Sequence, residues 1–120
     1  MIIQRSNTIL YCRNWIDTVA FYQDLFKFEI THQTDWFVEF RLTPQAFLSI
    51  ANETRASIHS VRGQGITLSW QVEDIEEAHI YWSKQGISPT EIKKKWGAFV
   101  FYLHDPERHR IELWKPISPT

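Results

Sequence analysis

The chain has 120 residues, with thirteen Lys and Arg against fourteen Asp and Glu, so no cationic excess exists to displace counterions from a nucleic-acid backbone, and no nucleic-acid partner is expected. A hydrophobic fraction of 43% excludes disorder, and no apolar run is long enough to span a bilayer, so no membrane partner is expected either. The one cysteine, Cys12, excludes an internal disulfide and a cysteine zinc cage.

Residues 7–12 alternate in character, with Thr8, Leu10 and Cys12 on one side and Asn7, Ile9 and Tyr11 on the other, which predicts a strand. Asn14 then starts a helix. Asp17 follows it at a capping-box-like spacing that also puts negative charge at the positive helix end. Trp15, Val19, Tyr22 and Phe26 share one face of that helix. Strands are predicted over 28–33, 36–42 and 46–52, with Glu39 and Arg41 placed to form a surface pair. Residues 53–64 lack periodicity and read as a linker.

The second half repeats the order. In 66–72, Ile66, Leu68, Trp70 and Val72 point beneath a helix, while Thr67, Ser69 and Gln71 point away. Asp74 with Glu77 starts the helix, which carries Ile75, Ala78 and Trp82 inward, and Gly86 stands where a left-handed terminal residue is wanted. Strands are predicted over 90–95, 98–104 and 110–115, with Lys93, Lys94 and Lys95 on a solvated edge. The last hairpin turns through Asp105–His109. Pairing His104 with Arg110 sets Tyr102 opposite Glu112 and Val100 opposite Trp114 on one face, with Phe99, Phe101, Leu103, Ile111 and Leu113 behind them. Such a mixed polar and aromatic face fits either a cavity or a solvated sheet surface.

The two halves align at an offset of 60 residues. Cys12-Arg13-Asn14-Trp15 matches Val72-Glu73-Asp74-Ile75, and Phe21-Tyr22 matches Tyr81-Trp82. The expected fold is α+β, a single domain over 1–120 built from two repeated βαβββ modules at about 1–52 and 65–116. Three stretches, LYCRNWIDTVAFYQDLFKFE, WQVEDIEEAHIYWSKQGI and FYLHDPERHRIELW, together with this order of elements, resemble the vicinal oxygen chelate superfamily. That group includes glyoxalase I, extradiol dioxygenases, fosfomycin-resistance enzymes and bleomycin-resistance proteins. The resemblance covers about the whole chain and implies modules whose curved mixed sheets enclose a cleft. It also implies a homodimer, because paired modules of this kind often complete their clefts across two chains.

Two departures from the family pattern bear on chemistry. Arg108 stands where the last turn often has glycine, so a positive φ there would cost on the order of 1 kcal/mol. An arginine at a cleft rim is also placed to contact an anion. The metal-ligand positions of the family, carried over residue by residue, hold Asn7, Leu48, Thr67 and Glu112, of which Glu112 alone is a strong ligand. Catalytic zinc takes three protein ligands, and non-haem iron commonly takes two histidines and a carboxylate. His104 can face the cleft, so a shifted site using His104 and Glu112 stays open as an alternative, although it lacks a third member.

No GxSxG elbow, P-loop, GxGxxG or HExxH occurs. Glu112 is open to three roles: lone ligand, general base, or hydrogen-bond partner of Tyr102. Tyr11 and Trp114 either stack on a ligand or fill a dimer seam, and Cys12 reads as a small core residue. The expectation is a cytoplasmic, metal-free and cofactor-free protein that binds a small amphipathic or aromatic organic ligand, resembling the bleomycin-resistance branch. Its pocket would comprise Asn7, Tyr11, Thr67, Gln71, Tyr102, Glu112 and Trp114. Two alternatives stand beside it: a divalent-metal-dependent lyase, isomerase or dioxygenase with an altered ligand set, and a structural or regulatory dimer.

Overall fold

In the computed structural model, which describes residues 1–117, the chain divides into two compact units, Met1–Arg62 and Gly63–Thr120. In the first, strand β1 (Ser6–Cys12) leads through Asn14 into helix α1 (Trp15–Ala20) and on to β2 (Glu29–Gln33), β3 (Phe37–Thr43) and β4 (Ala46–Asn52). The second runs β5 (Thr67–Gln71), α2 (Ile75–Lys84), β6 (Lys93–Lys95), β7 (Ala98–His104) and β8 (Arg110–Pro116). The sheet orders are β1-β4-β3-β2 and β5-β8-β7-β6, the same topology twice. In each sheet the first and last strands pair parallel and the remaining pairs are antiparallel. The α+β class and the two βαβββ modules are therefore as expected from the sequence.

The two helix starts differ. Asp74 caps α2 through a hydrogen bond from the Glu77 amide at 3.0 Å. Asn14, the expected counterpart, makes no side-chain capping bond. Its backbone carbonyl instead accepts from both the Thr18 amide at 3.0 Å and the Thr18 hydroxyl at 2.7 Å. This back-bonding buries Thr18 without an unsatisfied hydroxyl. A π-helical turn (Phe21–Leu25) extends α1, with the Phe26 amide bonded to the Phe21 carbonyl. The wider turn lets the adjacent Phe21 and Tyr22 both enter the core.

Each helix covers one sheet face. Tyr22, fully buried, stacks near Phe26 and Phe28 and meets Phe40 of β3. Beneath them lie Leu10, Cys12, Val38, Leu48 and Ile50, all buried. The Trp15 indole donates to the Ile50 carbonyl at 2.9 Å and ties α1 to β4. In the second unit His79 of α2 meets the Phe101 ring edge-on, over a core of Leu68, Leu103, Ile111 and Leu113. Burying each of these aliphatic side chains stabilises the fold by roughly 1.5–3 kcal/mol before the entropy of ordering is counted.

The strand expected over 90–95 is shorter than its sequence suggested. Thr90 bonds Tyr102 on both sides, its amide donating to the Tyr102 carbonyl and its hydroxyl oxygen accepting from the Tyr102 amide, so a side chain replaces one rung of the ladder. Regular pairing starts at Lys93, and β6 is an edge strand with all three lysines exposed. Gly86 adopts φ +73°, as the helix stop requires.

Candidate functional site

The helix-free face of each sheet is the place to look for chemistry, and the two differ. On the first, one row of polar side chains crosses the sheet. Ser49 of β4 donates to Asn7 Oδ1 at 2.8 Å, and Asn7 Nδ2 reaches Glu39 Oε2 at 3.5 Å. Glu39 Oε1 takes the Thr31 hydroxyl at 2.8 Å and pairs with Arg5 Nη2 at 3.2 Å. Burial alone would raise the Glu39 carboxyl above its ordinary value. The Thr31 hydrogen bond and the Arg5 charge outweigh that, and it sits lower. The expected Glu39–Arg41 pair is not formed, because Arg41 turns to Glu29 at 3.0 Å. Tyr11, half-buried, lies two residues beyond Ile9 on the same side of β1.

Strand register also revises one inferred ligand position. Leu48 lies fully buried on the helix side, and Phe47, Ser49 and Ala51 are the β4 residues on the face of Asn7, with Ser49 bonded to it. Within its sheet Ser49 pairs in register with Ile9, as Glu112 pairs with Ser69 in the second sheet.

On the second face, the pairing deduced from alternation is the one formed: His104 with Arg110, Tyr102 with Glu112, Val100 with Trp114. The β5–β8 pairing adds Thr67 opposite Arg110, Ser69 opposite Glu112 and Gln71 opposite Trp114. The Ser69 hydroxyl donates to Glu112 Oε1 at 2.5 Å, which assigns Glu112 a partner other than the expected Tyr102. The Tyr102 ring instead lies under two cations, Arg110 at 4.6 Å and Lys95 at 5.2 Å. Arg110 Nε donates to Thr67 Oγ1 at 2.9 Å. Thr67, Gln71, Tyr102, Glu112 and Trp114 thus share one face of one sheet. Ser69 and Arg110 join them, although the sequence reading placed both on this face without assigning either a role.

A family model for the Glyoxalase/Bleomycin resistance protein/Dioxygenase superfamily matches residues 6–113. The chain belongs to this superfamily. Among solved structures, TnmS3, an antibiotic binding protein from Streptomyces sp. CB03234, superposes with a TM-score of 0.80 at 12% identity, over 96% of this chain and 97% of that one. A lactoylglutathione lyase from Agrobacterium tumefaciens gives 0.76 at 21% identity, over 91% and 90%. A glyoxalase/bleomycin resistance protein/dioxygenase from Nocardioides gives 0.80 at 14% identity, over 100% and 86%. At these identities the likeness is one of fold. No curated protein matches the chain.

Superfamily members that use a metal set a demanding donor requirement, and the residues here do not fit it. The Asn7 amide is engaged by Ser49 and Glu39, Leu48 has no donor atom and faces the helix, its neighbour Ser49 offers only a hydroxyl already given to Asn7, and Thr67 Oγ1 already accepts from Arg110. Glu112 remains as a single carboxylate. Among the described residues no three His, Cys, Asp or Glu side chains converge, and His104, exposed at the strand end, brings no third partner to Glu112. Among the same residues no helix is long and apolar enough to cross a membrane.

Proposed function

We propose that this chain binds a small amphipathic or aromatic organic molecule on the helix-free face of its second module, and that it does so without a catalytic divalent metal. The observation carrying this reading is the donor set. One carboxylate, oriented by Ser69, lies between half-buried rings (Tyr102, Trp114) and neutral polar groups (Thr67, Gln71). Rings supply contact area and a few fixed polar groups set orientation, which is what a binding site for an organic molecule requires. A single carboxylate among neutral groups assigns no reaction by itself, whereas it suits the orientation of a bound ligand. Asn7 and Tyr11 are proposed for the same role on the face of the first module. Of the two kinds of relative, the antibiotic binding protein is the one whose named role agrees with this reading, and the lactoylglutathione lyase is the enzymatic alternative. The setting proposed is the cytoplasm, where Cys12 stays reduced.

The test joins elemental analysis of protein purified without chelator to thermal melting against a panel of aromatic and amphipathic compounds. A ligand at 100 times its Kd adds about 2.7 kcal/mol of stability, which is a melting shift of several degrees for a chain of this size. Near-stoichiometric zinc, manganese or iron, or a panel that moves nothing, would reject the reading.

A further inference from the structure

An open pocket of about 430 Å³ lies at the end of the second module's helix-free face, and its polar wall is Thr67, His104, Arg108 and Arg110. Among the described residues neither guanidinium meets a carboxylate. The nearby acids are already engaged. Glu112 is bonded to Ser69, and the Asp105 carboxylate takes the amides of Glu107 and His109 and the His109 ring. Two like charges in one pocket, on a chain whose net charge is −1, repel each other until an anion joins them.

The Arg110 side chain and the Arg108 backbone are held in place. Arg110 is fixed by Nε on Thr67 and by the Tyr102 ring beneath it, which leaves its paired terminal nitrogens for a forked oxyanion. Arg108 sits at φ +73°, a conformation unfavourable for any side chain. The Asp105 turn and the close approach of Gly63 to the Arg108 carbonyl hold it there. A strained cationic residue in the wall of a pocket, with no carboxylate partner among the described residues, is placed for a ligand.

We propose that this pocket takes the anionic end, a phosphate, phosphonate or carboxylate group, of an organic ligand whose ring lies toward Tyr102. The proposal rests on the small-molecule reading above and adds the charge of the molecule. Four probes test it on isotope-labelled protein by amide shifts: phenyl phosphate, benzoate, neutral benzyl alcohol and inorganic phosphate. Phenyl phosphate and benzoate should shift Gly63, Gly65 and Arg108, and benzyl alcohol should not. Arg110→Gln should weaken phenyl phosphate about tenfold, the loss expected for a charge-assisted contact. Arg108→Gly should weaken it similarly while the melting temperature holds or rises, because glycine accepts that φ.

Benzyl alcohol binding as tightly as phenyl phosphate would overturn the anion pocket and leave the small-molecule reading intact. Inorganic phosphate matching phenyl phosphate would overturn the assignment to an organic ligand. No response to any probe at millimolar concentration, or full affinity in both variants, would also overturn it. Phenyl phosphate binding here together with a near-stoichiometric metal would overturn the metal-free part of the earlier reading and leave the anion pocket standing.

Discussion

Ser69 and Glu112 face each other across a parallel strand pair, and the serine hydroxyl donates to Glu112 Oε1 at 2.5 Å. A short bond to a carboxylate is stronger than one between neutral groups, so it fixes which oxygen stays available to a ligand. The corresponding pair of the first sheet, Ile9 and Ser49, has no acid, and its serine turns to Asn7. The repeat has kept the strand register and changed the chemistry.

Replacing Glu112 by Gln keeps the shape and removes the charge. Affinity for the strongest ligand of the melting panel should fall about tenfold, the loss of one hydrogen bond to a charged group, with metal content unchanged. Ser69→Ala should cost less, since the carboxylate remains. A stoichiometric metal that is present in the parent and lost on Glu112→Gln would replace the binding model with an enzymatic one.

Stability should fall in acid through Glu39. Its burial opposes ionisation, but the Thr31 hydroxyl and Arg5 overcome that and lower its folded value. Between the ordinary carboxylate value and the lowered one, the unfolded chain holds the proton and the folded chain does not. Stability is therefore complete above that window and is lost as pH falls through it. Glu53 adds to the same limb: the Ser60 amide lowers it, burial opposes, and Arg13 assists. Thr31→Val should remove about 1–2 kcal/mol at neutral pH, read by urea melts, and should flatten the acid limb. An unchanged acid limb would show that Glu39 titrates alike in both states.

The hairpin pairing, both helices and seven of the eight strand positions to within a residue or two were legible because alternation and Asx starts are local signals. The polar row through Ser49, Asn7, Glu39 and Thr31 was not. It joins residues up to 42 apart in sequence, and nothing in their spacing says which hydroxyl meets which carboxylate. Leu48 was carried over from the family's ligand positions, and β4 itself offered no pattern to check that placement. In a buried run such as Phe47-Leu48-Ser49-Ile50-Ala51, apolar side chains occur on both faces, so alternation cannot set the phase. The π turn left no trace either, since Phe21 and Tyr22 read as one position of a stripe and one beside it.

A homodimer is expected in solution. Ile2, Ile3, Ile16 and Val61 stand exposed and offer apolar side chains for a second chain to cover. Sedimentation at micromolar concentration should give twice 14.3 kDa. A single species at the mass of one chain would count against it and would leave the site on each module unaffected.

Two glycines with nearly the same φ should respond differently to alanine. Gly86, at φ +73°, ends α2 with open space where a Cβ would stand, so Gly86→Ala carries only the left-handed penalty of about 1 kcal/mol. Gly63, at φ +77°, would place a Cβ 2.1 Å from the Arg108 carbonyl oxygen and 2.6 Å from the His109 amide nitrogen. Both are backbone atoms of a turn already pinned by Asp105, so neither can rotate away as a side-chain tip would. Overpacking of this kind adds roughly 1–3 kcal/mol to the conformational penalty. Urea unfolding should therefore rank Gly63→Ala well below Gly86→Ala, by at least 1 kcal/mol. The same displacement should shift Arg108, so Gly63→Ala should also weaken phenyl phosphate where Gly86→Ala does not. Equal losses at the two positions would mean that the loop and the turn separate freely, and that the pocket wall is less rigid than the contact between Gly63 and Arg108 requires.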